Sequence, residues 1–170
     1  AASLLSASNN HADMLVRWAF GSQAEYLSAA EAWLVEHGFS GTAVADASGL
    51  DGESVSTADD LVRIGRLAAA DPLLASLLGS DGIGAVNGAS ITNTTRYEPA
   101  GSATTVSRSY TDAAAVTVVL SMTTDSGESL TAAFLRQPSY DAMAAAVTAF
   151  LDSAAAATAQ IEALPEGTVV

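Results

Sequence analysis

Two short stretches of hydroxyl and amide side chains are the best candidates for chemistry in this sequence. Ser8-Asn9-Asn10 sets a serine and a carboxamide two residues apart in front of an amphipathic run. Ser107-Arg108-Ser109, continued by Tyr110-Thr111, sets two hydroxyls and a guanidinium on a run that reads as extended. A serine can be acylated or can relay a proton, and a guanidinium can hold a carboxylate by two parallel hydrogen bonds. A serine nucleophile at neutral pH needs an adjacent base, and bases are scarce here. All six basic residues are arginines (Arg17, Arg63, Arg66, Arg96, Arg108 and Arg136), so amine-base and Schiff-base chemistry is excluded within the chain.

The two histidines do not fill the gap. His11 and Asp13 form an H-x-D pair, but side chains two apart on a helix diverge by about 200°. His37 falls at a helix C-terminus, where an imidazole meets the dipole and free carbonyls. No Ser-His-Asp pattern with a nucleophile elbow is present. Asp46–Asp60 is rich in oxygen ligands, yet it has Asp51 where the calcium loop requires glycine and Thr57 where it requires glutamate. Gly82-Ile-Gly84 opens like a dinucleotide fingerprint but follows a helix rather than a strand. With no cysteine, thiolate metal sites and disulfides are also excluded. The sequence therefore implies neither metal nor cofactor.

Composition narrows the partners. Nineteen acidic residues against six basic give a net charge of −13, with pI near 4.1. That field repels phosphate backbones and anionic lipid, so nucleic-acid binding is not expected. Hydrophobic residues make up 49% and mean hydropathy is +0.30, which suits one folded domain. No apolar run reaches the length that spans a bilayer.

The elements that must position these residues read in two halves. Ser8-Asn9-Asn10 is a turn-and-cap cluster before a helix over 11–20, Ser22-Gln-Ala-Glu25 is a capping box for a second, Ser56 or Thr57 caps a third, and Asp71-Pro72 opens a fourth. Residues 79–88 read as a glycine-rich loop. Extended runs follow at 90–94, 104–110, 114–122 and 129–136, with a hairpin at Asp125-Ser126-Gly127. Pro138 then introduces a long alanine-rich helix. The fold class is α+β: a helical lobe over 1–88, then an antiparallel sheet with a C-terminal packing helix over 89–160, in a single domain, with 161–170 as a tail.

Taken singly, Ser8-Asn9-Asn10, Gly49-Leu50, Ser56–Leu61, Thr92-Asn93-Thr94 and Tyr110-Thr111-Asp112-Ala113-Ala114 are caps and turns. In this order they resemble the penicillin-binding serine D-alanyl-D-alanine carboxypeptidases, the low-molecular-weight penicillin-binding proteins, from about Leu4 to Leu151. The resemblance implies a partial β-lactamase/penicillin-binding-like fold. It implies that Ser8 and Asn10 are catalytic, that Ser107, Arg108, Ser109 and Thr111 bind substrate, and that the ligand is a peptidoglycan stem peptide or a β-lactam. It also implies an extracellular or cell-envelope location.

The departures from that family bear on activity. Ser107-Arg108-Ser109 stands where the family has K-T-G, and the chain contains no S-x-x-K, which in the family lies upstream of S-x-N. The resemblance puts the S-x-x-K helix between lobe and sheet, and N-terminal strands beside the C-terminal ones. Without them, apolar surface is expected on both lobes, and with it self-association or association with the missing segment. The expected function is a carboxypeptidase-like domain that acts on or binds stem peptides and is inactive as this chain. The alternative is a non-catalytic peptidoglycan- or protein-binding module on the same fold.

Overall fold

The computed structural model describes residues 5–84, 88–124 and 127–162, with side chains to residue 156. From Asn9 onward four helices precede the strands among the described residues: α1 (Asn9–Phe20), α2 (Gln23–Glu36), α3 (Ala58–Ala70) and α4 (Pro72–Leu78). Each starts on a side chain that accepts from a free amide of its first turn. Ser8 accepts from His11 N, Ser22 from Glu25 N at 3.2 Å, Thr57 from Asp60 N at 3.1 Å, and Asp71 from Leu73 and Leu74 N, both at 2.9 Å. Thr57, not Ser56, is the third cap. Gly21, at φ 82°, closes α1 in the left-handed region that glycine adopts without a Cβ penalty.

The stretch expected to be loop from 79 to 88 contains a strand. β1 (Gly82–Gly84) pairs antiparallel with β2 (Ser90–Thr92), Gly82 opposite Thr92. Gly82 has φ 155°, and a Cβ there would lie 2.3 Å from the Ile91 carbonyl oxygen. The glycine content that reads as loop is thus what allows this close strand contact. The pair also crosses the boundary expected between the two halves. Residues 85–87 lie outside the described residues, as do Asp125 and Ser126 of the expected hairpin tip and residues 163–170 of the expected tail. Residues 161 and 162 belong to the last helix.

A one-turn 3-10 helix (Glu98–Ala100) leads into the main sheet. Its strands β3 (Thr104–Thr111), β4 (Ala115–Thr123) and β5 (Ser129–Gln137) form an antiparallel meander in the order β3-β4-β5, and α5 (Tyr140–Glu162) closes the described fold. The two faces of this sheet are separately covered. Val116, Val118 and Leu120 of β4 pack with Tyr97, Ala100, Met143 and Val147, which puts α5 and the 3-10 turn on one face. On the other lies α3, brought close by Gly65: a Cβ there would be 2.9 Å from Val119 Cγ1 and 3.0 Å from Thr131 Cγ2. This helical lobe, sheet and packing helix are the α+β arrangement the sequence pattern implies. Among the described residues no helix is long and apolar enough to cross a membrane.

Candidate functional site

The site is built on Thr94, which joins three motifs distant in sequence. Its backbone N–H donates to the Leu5 carbonyl at 2.8 Å and its hydroxyl donates to the same oxygen at 3.2 Å. Its own carbonyl accepts from Arg108 Nη2 at 2.6 Å. Thr94 thus links the turn that leads into Ser8 with the middle of β3. The turn itself holds Ala7 at φ 47°, a left-handed conformation uncommon for a residue with a Cβ. Ser8 follows as the cap of α1, its Oγ accepting from His11 N at 3.4 Å, and Asn10 is exposed in the first helical turn.

Asn93 fixes the Thr92-Asn93-Thr94 segment from below. It is buried, and both halves of its amide are used. Nδ2 donates to the carbonyls of Leu78 at 3.1 Å and Ser80 at 3.0 Å, while Oδ1 accepts from Thr95 N at 3.1 Å and Thr95 Oγ1 at 2.6 Å. The end of α4 and the approach to β3 are clamped together by one side chain.

The β3 residues do not share a face. A bulge between Thr105 and Ser107 sets Ser107 opposite Val119 and Ser109 opposite Thr117, on the α3 face, with both serines exposed. Arg108 sits opposite Val118, on the α5 face with Tyr110, as strand alternation requires. Thr111 ends the strand, and its Oγ1 accepts from Ala114 N at 3.0 Å in the turn to β4. Tyr110 donates from its hydroxyl to Asp112 Oδ1 at 3.1 Å, and that hydrogen bond to a carboxylate holds its pKa above the usual phenol value.

The Gly49-Leu50 turn is organised by Asp46. Its carboxylate accepts from Gly49 N at 2.9 Å, from Leu50 N at 3.3 Å and from both N and Oγ of Ser48. Burial pushes the Asp46 carboxyl up, but these four donors outweigh it and hold the group below its ordinary value. The buried Asp60 accepts from Gly41 N and Thr42 Oγ1, both at 2.9 Å, and ties the segment after α2 to α3. His37 is the helix-end residue its position implies, with Nδ1 2.9 Å from the Trp33 carbonyl and its ring stacked on Trp33 at 4.3 Å. No metal-holding cluster of three or more His, Asp or Glu side chains exists among the described residues. Apolar surface is exposed on the lobe: on α1, Trp18 is 83% exposed and Met14 65%.

Sequence reasoning matched Asn93 and Thr94 only as letters of a motif. Their work as clamp and link depends on contacts to Leu78 and Leu5, which no local pattern reveals.

A sheet backed by α5, faced by a helical lobe and joined through Thr94 to the Ser8 turn is the arrangement that the resemblance to penicillin-binding proteins implies. No family model matches the chain, and no curated protein does so by sequence. Among solved structures it is similar to a D-alanyl-D-alanine carboxypeptidase from Mycobacterium tuberculosis, with TM-score 0.74 and 26% identity over 98% of this chain and 64% of that one. A penicillin-binding protein homologue from the same organism gives TM-score 0.74 and 25% identity over the same shares. A peptidoglycan synthesis regulatory factor from Streptococcus pneumoniae gives TM-score 0.76 and 19% identity, over 89% of this chain and 50% of that one. These likenesses support the family that the ordered motifs imply, the low-molecular-weight penicillin-binding proteins. The chain spans 64% of the length of the two mycobacterial structures.

Proposed function

We propose that this chain is a D-alanyl-D-alanine carboxypeptidase-like domain of the cell envelope that receives the D-alanyl-D-alanine end of peptidoglycan stem peptides. The observation that carries this reading is the bonding of Thr94 to Leu5 on one side and Arg108 on the other. It ties the S-x-N turn to the strand at the K-T-G position. Ser8 and Asn10 then act at the reacting peptide group, Ser8 as a proton relay and Asn10 as a holder of substrate amide. Ser107 and Ser109 line the approach along β3. Arg108 and Thr111 border it, Arg108 with the guanidinium donors that it does not give to Thr94.

These 170 residues contain no lysine, so they hold no serine-lysine centre and do not carry out acyl transfer by themselves. A second reading, a non-catalytic binding module on the same fold, is favoured by one further observation. Ser107-Arg108-Ser109 replaces a lysine by a neutral hydroxyl and a glycine by a residue with a Cβ, at a strand edge where substrate backbone would pass. Labelling of the native, full-length protein with fluorescent penicillin, followed by intact mass, separates the two. A covalent adduct supports the enzyme. No adduct, together with saturable binding of acyl-D-alanyl-D-alanine, supports the module, and absence of both refutes the stem-peptide reading.

A further inference from the structure

The α3 face of β3 carries Ser107 and Ser109 but no cation, because Arg108 is on the other face and bonds to the Thr94 carbonyl. At the Thr104–Val106 end of the strand this same face opens into a cleft of about 610 Å³, walled by α3, α4 and the ends of β3, β4 and β5. Arg66 of α3 lines it, with Ser102, Thr104, Ser121, Thr123 and Ser129, and among the described residues no carboxylate lines it. Three other arginines are engaged: Arg63 by Asp60, Arg96 by Asp81 and Arg108 by Thr94. The exposed Arg66 guanidinium, like those of Arg17 and Arg136, has no hydrogen-bond or ion-pair partner among the described residues, and of these three only Arg66 lines this cleft. In a chain of net charge −13, a guanidinium that no carboxylate among the described residues pairs, in a cleft lined by hydroxyl-bearing residues, has the chemistry to receive an anion. The remaining wall is mostly small and apolar, with Ala69, Ala70 and Ala75 offering room for methyl-sized groups.

We infer that Arg66 binds the C-terminal carboxylate of a short peptide with small side chains, held in the cleft between α3, α4 and β3. The assignment of that peptide to the stem-peptide class rests on the function proposed above; the carboxylate site does not. The test titrates the full-length protein calorimetrically with acetyl-D-alanyl-D-alanine, its C-terminal amide and acetyl-L-alanyl-L-alanine. A bidentate charged contact sets the expected effect: Arg66→Gln and the amide each weaken binding about tenfold or more. Arg66→Lys, which keeps the charge and loses the fork, falls between, and Arg17→Gln leaves affinity within threefold. Thermal melting of each variant reports folding. Unchanged affinity in Arg66→Gln, or no binding of either free-acid peptide, overturns the inference. Equal binding of D and L peptides, lost together in Arg66→Gln, supports the carboxylate site and counts against the stem-peptide reading alone.

Discussion

Replacing Asn93 tests how the approach to β3 is held. The side chain makes four hydrogen bonds in a buried position, two donated to the Leu78 and Ser80 carbonyls and two accepted from Thr95. A net contribution near 1 kcal/mol per bond puts the loss on Asn93→Ala at about 3–4 kcal/mol, the buried carbonyls being left without donors. For a chain of this size that lowers Tm by roughly 6–16 °C. Asn93→Asp keeps the shape but sets a carboxyl oxygen against two carbonyl oxygens, so the folded state must keep a proton on it. Its folded pKa is therefore raised above the unfolded value. The sign follows: the added penalty is absent below the unfolded pKa and grows as pH rises toward the folded one. Urea unfolding of both variants at pH 4 and pH 7 is the assay. A loss below about 1 kcal/mol for Asn93→Ala, set against that per-bond estimate, or an Asp variant indifferent to pH, refutes the clamp.

Four further outcomes follow from the same structure. Asp46→Asn removes an acceptor whose pKa is depressed, so its stability deficit is present above the unfolded carboxylate value and vanishes as pH falls through the folded one; acid-limb unfolding curves check this. Ala7→Gly relieves a left-handed residue and stabilises by up to about 1 kcal/mol by urea unfolding. Gly65→Ala gains about 1 kcal/mol of helix propensity but meets Val119 and Thr131, and overpacking of about 1–3 kcal/mol wins, so Tm falls. Gly82→Ala forces a Cβ onto the Ile91 carbonyl and opens the β1–β2 pair, seen as loss of amide protection at Ile83 and Ile91.

What the sequence discloses divides by range. Caps depend on neighbours three residues apart, so Ser22 and Asp71 are legible, Ser8 only within the Ser8-Asn9-Asn10 cluster and Thr57 only as one of two with Ser56, while the three strands of the main sheet are legible as extended runs. The faces of β3 were half legible. Alternation separates Arg108 from Ser107 and Ser109, but the bulge after Thr105 decides which face each takes, and no residue there signals it. β1 was hidden because glycine, the usual sign of a loop, is here what a close strand contact needs. Arg66 reads as one more polar position on an amphipathic helix. Its cleft also takes residues from α4, β3, β4 and β5, so it exists only in the folded chain. The link from Thr94 to Leu5 spans 89 residues and is equally invisible in one dimension. The family resemblance rests on the order and context of its motifs, which follow the fold, whereas the faces and contacts of single side chains are set by long-range packing.

The central claim is that the Ser8 turn and the β3 strand border one peptide-binding cleft. Amide chemical-shift mapping on titration with acetyl-D-alanyl-D-alanine addresses it most directly. Saturable shifts are expected at Ser8 and Asn10 together with Ser107 and Ser109, fitted by one dissociation constant. Shifts confined to one of the two segments, or none at either under saturating peptide, would contradict it.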